Sequence, residues 1–167
     1  MPAQMTAGLY LHFPFCTHRC GYCDFYTVAD REAVIPVYLD ALHREVDLYS
    51  SHPDCSDLTF STLYFGGGTP SLMSVAQLSE IIRKLESVFR FSQSPEITLE
   101  VNPETAGPEK LRQLRQAGVN RLSIGFQSFH PEELRFLERN HSVQTSKECY
   151  DNARAGGFEN ISKPTEI

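Results

Sequence analysis

TFSTLYFGGGTP, residues 59–70, is a β-branched and aromatic run that stops abruptly at three glycines. Such a run reads as a buried strand closed by a turn. Ser74 followed three residues later by Gln77 is a capping-box signature, and Leu78, Ile81, Ile82, Leu85 and Phe89 supply the apolar stripe of a helix. Strand, glycine turn and helix make one βα unit. Upstream, residues 8–14 (GLYLHFP) read as a strand running into a cysteine-bearing loop. Ile35, Tyr38, Leu39, Leu42, Val46 and Tyr49 then recur at helical spacing, and the polar residues 50–56 connect back to the central strand. Downstream the pattern repeats. Residues 96–101 form a third strand closed by Asn102-Pro103, and Pro108, Leu111, Leu114 and Gly118 outline a third helix. A fourth strand covers 121–127, and His130-Pro131-Glu132-Glu133 opens a short helical turn through Leu137. A weaker helix over 145–155 stops at Gly156-Gly157, and a fifth strand begins at 158–162. Strands alternating with helices predict the α/β class, with a parallel sheet and right-handed crossovers.

At 167 residues the chain is long enough for one domain, 1–167, with a real core, and short for two. Lys+Arg 15 against Asp+Glu 21 gives a net charge of -6 with no extended basic cluster, which argues against a nucleic-acid or anionic-membrane surface. No apolar run approaches the roughly 20 residues that span a bilayer, and residues 1–7 lack the basic and apolar regions of a secretory signal. The expectation is a soluble, cytoplasmic protein. Only residues 163–167 (KPTEI) follow the fifth strand, so its unit has no helix. The tail reads as truncated or altered, with a last strand that is mobile or reliant on a partner.

Ligands of parallel α/β proteins bind outside the carboxyl ends of the strands. Cys16, Cys20 and Cys23 follow the first strand, the glycine run the second, Glu100 and Asn102 end the third, and Gln127 ends the fourth. Five cysteines, three of them within eight residues, suit metal ligation better than a disulfide scaffold; Cys55 and Cys149 read as buried thiols of no special chemistry. The C-x3-C-x2-C spacing offers three thiolates from one loop, which leaves one iron of an iron-sulfur cube open to an exogenous ligand. A three-cysteine zinc site completed by His12 or His18 is the alternative. The glycine run lets main-chain groups approach a ligand, or is an ordinary βα turn. Neither G-x-x-x-x-G-K-[ST] nor G-x-G-x-x-G is present, against an ATPase and a dinucleotide dehydrogenase. Glu100 points to a barrel mouth to bind something, or bonds nearby backbone or Arg121. Arg139 pairs with a ligand carboxylate, or is a solvated surface residue. His130 and His141 read as turn residues.

Together, YLHFPFC (10–16), the C-x3-C-x-Y-C-D-F loop (16–25), FGGGTP (65–70), EVNP (100–103) and SIGFQS (123–128) resemble the radical S-adenosylmethionine superfamily. Within it the chain is similar to the HemW group of heme chaperones, relatives of the oxygen-independent coproporphyrinogen III oxidases. The resemblance implies a 4Fe-4S cluster on Cys16, Cys20 and Cys23, whose open iron is chelated by S-adenosylmethionine and whose electron cleaves the sulfonium to a 5'-deoxyadenosyl radical. It implies S-adenosylmethionine contacts from Tyr10, Tyr22, Gly67, Gly68, Thr69, Glu100, Gln127 and Arg139. Only 15 residues precede Cys16, and Asp24-Phe25 follow Cys23 where the oxidases carry a further cysteine; both favour the heme-chaperone group. That group implies heme, delivery to respiratory hemoproteins and an electron donor, whereas the oxidases imply porphyrinogen decarboxylation. Relatives continue with an Asp-bearing Leu-Asp-Leu-Ile-Tyr-Gly-Leu-Pro segment, and here Pro164 stands where that Asp would fall. A His-Asn-x-x-Tyr-Trp heme motif is missing, and the chain has no Trp. The implied fold is an incomplete (β/α) barrel of about five strands.

Overall fold

The structure, a computed structural model, describes residues 5–162. The tail at 163–167, including Pro164, lies outside the described residues. Five strands, β1 (Met5–Phe13), β4 (Leu58–Gly67), β5 (Phe91–Val101), β6 (Arg121–Ile124) and β7 (Asn160–Ser162), form one sheet with every pairing parallel. Two short strands, β2 (Phe15–Cys16) and β3 (Val28–Ala29), pair with each other. The helices are α1 (Ile35–Ser50), α2 (Pro53–Ser56), α3 (Val75–Val88), α4 (Pro108–Gln116), α5 (Pro131–Phe136) and α6 (Val143–Ala155).

In the main sheet, spatial order equals chain order, β1-β4-β5-β6-β7. A doubly wound sheet reverses direction partway and places helices on both faces. One-step right-handed crossovers that never reverse put every crossover helix on the same side. The result is an open piece of a (β/α) barrel wall. Its helix side is apolar and in register: Leu11 pairs with Phe65, Phe65 with Leu99, Leu99 with Leu122 and Leu122 with Ile161. Leu78, Ile81, Ile82 and Leu85 of α3 and Leu111 and Leu114 of α4 join this core. One residue along, the opposite face carries Tyr10, Tyr64, Thr98, Arg121 and Asn160 in the same register. Parallel strands buried on both faces read as continuous apolar runs, and this alternation marks a face built for another purpose.

The capping box forms as read: the Gln77 amide donates to Ser74 Oγ at 3.2 Å and the Ser74 amide to Gln77 Oε1 at 2.8 Å. Several boundaries differ from expectation. β6 ends at Ile124, short of Gln127, because its partner β5 ends at Val101; the Gly125 amide makes the last rung to the Val101 carbonyl at 2.9 Å. α6 starts at Val143 because Ser142 caps it, accepting from the Thr145 amide at 3.0 Å. The connector at 50–56 contains α2, capped by the His52 ring. β7 starts at Asn160, since the Phe158 amide is still bonded to the Ala153 carbonyl at the helix end.

Candidate cofactor cleft

The cysteine loop is anchored at both ends. β2 and β3 pair Phe15 with Val28 and Cys16 with Ala29, and the Val28 amide donates to the Pro14 carbonyl at 2.8 Å. Inside the loop the Cys23 amide reaches the Cys20 carbonyl at 3.0 Å. Cys16 is buried, Cys20 and Cys23 are half-buried, and all five cysteines are free. Burial pushes the Cys16 thiol above its ordinary pKa, reinforced by Cys23 and Cys20 and opposed by the Thr69 hydroxyl and the Arg139 charge.

The glycine run packs against this loop. Gly68 and Thr69 amides donate to the Phe13 and Phe15 carbonyls at 2.7 and 2.8 Å. A Cβ on Gly68 would lie 2.7 Å from the Phe15 oxygen and 2.9 Å from Cys16 Sγ. Gly67, at φ +117°, takes a conformation that side chains rarely adopt. Its amide donates to Glu100 Oε2 at 3.0 Å. The close approach demanded here is therefore loop against loop, with both glycines still facing the cleft.

Glu100 accepts from the Tyr64 hydroxyl at 2.8 Å as well as from Gly67, so its partners include nearby backbone. Arg121 instead reaches Thr98 Oγ1 at 3.2 Å and lies 3.9 Å from Glu96. Burial raises the Glu100 pKa against the pull of Tyr64, Gly67 and His12; burial and the carboxylate together push Tyr64 up to about 12. Gln127 sits at φ 55°, in the left-handed region, with its Oε1 buried and unpartnered. Arg139 is no solvated surface residue. Its Nη2 donates to Asn102 Oδ1 at 2.9 Å and the Gly125 carbonyl at 3.1 Å, its Nη1 lies 3.5 Å from Cys20 Sγ, and its Nε is buried without a partner.

One cleft of about 640 Å³ gathers these groups: the three cysteines, Tyr22, Gly67, Gly68, Thr69, Glu100, Gln127 and Arg139 line it, along with His18, Asn102 and Tyr64. Burial raises the Tyr22 phenol, with Arg139 opposing. Tyr10 is not among the lining residues; its ring stacks on Tyr64 at 5.9 Å, one side chain away from Glu100. Among the described residues no group of three or more His, Cys, Asp or Glu side chains is drawn close enough to hold a metal ion. The donor set still suits an iron-sulfur group: three thiols share a cleft with a hydroxyl and a guanidinium aimed at two of the sulfurs, and two buried polar atoms there lack partners. His12 is committed elsewhere, its Nε2 2.9 Å from the Tyr26 carbonyl and its Nδ1 3.2 Å from the Tyr10 hydroxyl, so it closes no zinc shell in this arrangement.

Other groups lie where the sequence did not signal a role. His141 occupies a bend but is buried, its Nε2 3.2 Å from the Phe126 carbonyl and its Nδ1 3.6 Å from Glu104. Its burial follows from α6 folding back on the turn at 103–105, which no local pattern announces. His130 is an exposed turn residue as expected. Cys149 is buried, which lifts its thiol to about 11, whereas Cys55 is only half-buried.

A family model described as the Radical SAM superfamily matches residues 10–165. The chain is 39% identical over 165 residues to a heme chaperone HemW of Mycobacterium tuberculosis, covering 97% of this chain and 42% of that protein. To the heme chaperone HemW of Bacillus subtilis it is 38% identical over 154 residues, covering 92% and 40%. Among solved structures, coproporphyrinogen III oxidase (HemN) from Escherichia coli, described as a radical SAM enzyme, superposes with a TM-score of 0.86 at 32% identity, over 98% of this chain and 37% of that one. The chain thus spans about two fifths of the length of these relatives.

Proposed function

Since the chain belongs to the radical S-adenosylmethionine superfamily, we propose that its single domain is the cofactor-binding core of a HemW-like heme chaperone. Cys16, Cys20 and Cys23 hold a 4Fe-4S cluster, and Tyr22, Gly67, Gly68, Thr69, Glu100, Gln127 and Arg139 bind S-adenosylmethionine, with Tyr10 contributing through its stack on Tyr64. The observation that carries this reading is the convergence of the three cysteines with the glycine loop and the polar ends of β5 and β6 in one cleft. When bound, the cluster supplies a low-potential electron to the sulfonium. The residues bind and orient. Arg139 brings a positive charge to a cleft of thiolates and ligand carboxylate, Glu100 offers acceptor oxygens, and the uncommitted Gln127 Oε1 is available to a ligand donor. Heme, respiratory hemoproteins and an electron donor are the partners this reading implies. Among the described residues no helix is long and apolar enough to cross a membrane, and the free thiols fit a reducing cytoplasm.

Anaerobic iron and acid-labile sulfide analysis of the reconstituted chain, with EPR of the dithionite-reduced protein, tests the reading. The expected result is roughly four iron and four sulfide per chain and a signal that changes on adding S-adenosylmethionine. Zinc without sulfide would replace it with a plain metal-binding module. A second reading, porphyrinogen oxidation, draws on the superposition with the coproporphyrinogen oxidase. Anaerobic decarboxylation of coproporphyrinogen III by the reconstituted chain would promote it.

A further inference from the structure

Asn102, just past the end of β5, bonds to two side chains that each reach a cysteine sulfur. Its Oδ1 is 2.9 Å from Arg139 Nη2 and its Nδ2 is 3.1 Å from Thr69 Oγ1. Arginine carries donors only, so the amide oxygen must face Arg139 and the NH2 must face Thr69. Thr69 therefore accepts from Asn102, and its single hydroxyl proton is left to point at Cys16 Sγ, 3.5 Å away. On the other arm, the guanidinium held by Asn102 presents Nη1 to Cys20 Sγ at 3.5 Å. One amide thus bonds the donors to two of the three sulfurs, sharing the guanidinium with the Gly125 carbonyl at 3.1 Å. Its own backbone is pinned, the amide donating to Ser71 Oγ at 3.3 Å and the carbonyl accepting from the Thr105 amide at 2.9 Å.

We infer that Asn102 is a positioning residue that raises the reduction potential of the cluster by aiming Thr69 and Arg139 at Cys16 and Cys20. The inference rests on the cluster-binding reading above. Reduction adds one electron, here from dithionite, and no proton, so the cluster gains one negative charge. Donors and positive charge at the sulfurs favour that state. No other side chain of this size has the needed polarity. In Asn102→Asp the shape is kept, but a carboxylate accepts where the amide donated. The Thr69 hydroxyl turns to it and away from Cys16, and its charge offsets that of Arg139.

The test is an EPR-monitored dithionite titration of the anaerobically reconstituted wild type, N102D, T69V and N102D/T69V. N102D is expected to hold wild-type iron and sulfide and to reduce at a lower potential. T69V shifts the same way by less, and the double variant shifts by less than the sum, since the two side chains act in series on Cys16. A fully loaded N102D with the wild-type potential, or additive shifts, overturns the inference while leaving cluster binding intact. Should N102D hold no cluster, T69V decides: a wild-type potential there overturns the inference too. A wild-type chain without iron and sulfide fails earlier and differently, removing the reading on which the inference stands.

Discussion

The two faces of one sheet differ by a single residue step and by everything else. On the helix side, Leu11, Phe65, Leu99, Leu122 and Ile161 lie shoulder to shoulder across five strands. One position along, Tyr10, Tyr64, Thr98, Arg121 and Asn160 make a polar row, and the same strands lead on to Glu100 and Asn102 at the cleft. Because strand side chains alternate, the same segments carry the apolar core on one face and the polar row that leads to the proposed cofactor cleft on the other. Variants on the helix side should move stability and spare cofactor binding; variants at the cleft should do the reverse.

The largest effect is expected on the apolar side. Leu99 is fully buried among Phe65, Leu122 and the covering helices. Leu99→Ala loses transfer energy and opens a cavity, for about 2–5 kcal/mol. Urea unfolding at neutral pH measures it, and the folded fraction should still load iron and sulfide. A loss as small as that of a cleft variant such as Gln127→Ala would break the comparison.

Gly68 lies on the seam, where stability and ligation should fail together. Its new Cβ would meet two carbonyl oxygens and Cys16 Sγ at 2.7–2.9 Å, and backbone cannot swing aside like a side-chain tip. Gly68→Ala should cost about 1–3 kcal/mol and, by displacing Cys16, most of the bound iron. Unfolding and iron analysis on the same preparation would show whether the two losses travel together.

The helix-side pattern is also what the sequence displays most openly. The β-branched and aromatic run and the stripe of α3 announce themselves in residues 59–89, and the predicted Ser74–Gln77 box is present. Ser74→Ala should cost about 1 kcal/mol, read as a small fall in the urea midpoint at unchanged slope. The pairing of β2 with β3 is not legible in the sequence, because a two-residue ladder has no period to detect. The cysteines and the glycine run were visible as types at telling spacings. The reach of Arg139 to Cys20, 119 residues away, was not, nor was the burial of His141, since both depend on where the chain folds back. Asn102 could be placed on the rim from sequence, but its role depends on which way an amide points.

The smallest expected effect sets two nearby glutamates against each other. Glu104, under α6, is held below the ordinary glutamate pKa: burial alone would raise it, but the facing His141, its own backbone amide and Arg139 together outweigh that. Its stabilising contribution is present above the unfolded pKa and is lost as pH falls through the lower folded value. Glu100, in the cleft, is shifted upward, chiefly by burial. It costs stability above its raised folded pKa, and the cost is relieved as pH falls through that value. Unfolding measured from about pH 7 to about pH 3 should therefore separate them. Glu104→Gln makes the acid loss of stability shallower, and Glu100→Gln makes it steeper. If both substitutions bent the curve the same way, the cleft carboxylate would be no more destabilised by its surroundings than the one under α6. The division of the sheet into a face for stability and a face for ligands would then fail at the residue where it should be plainest.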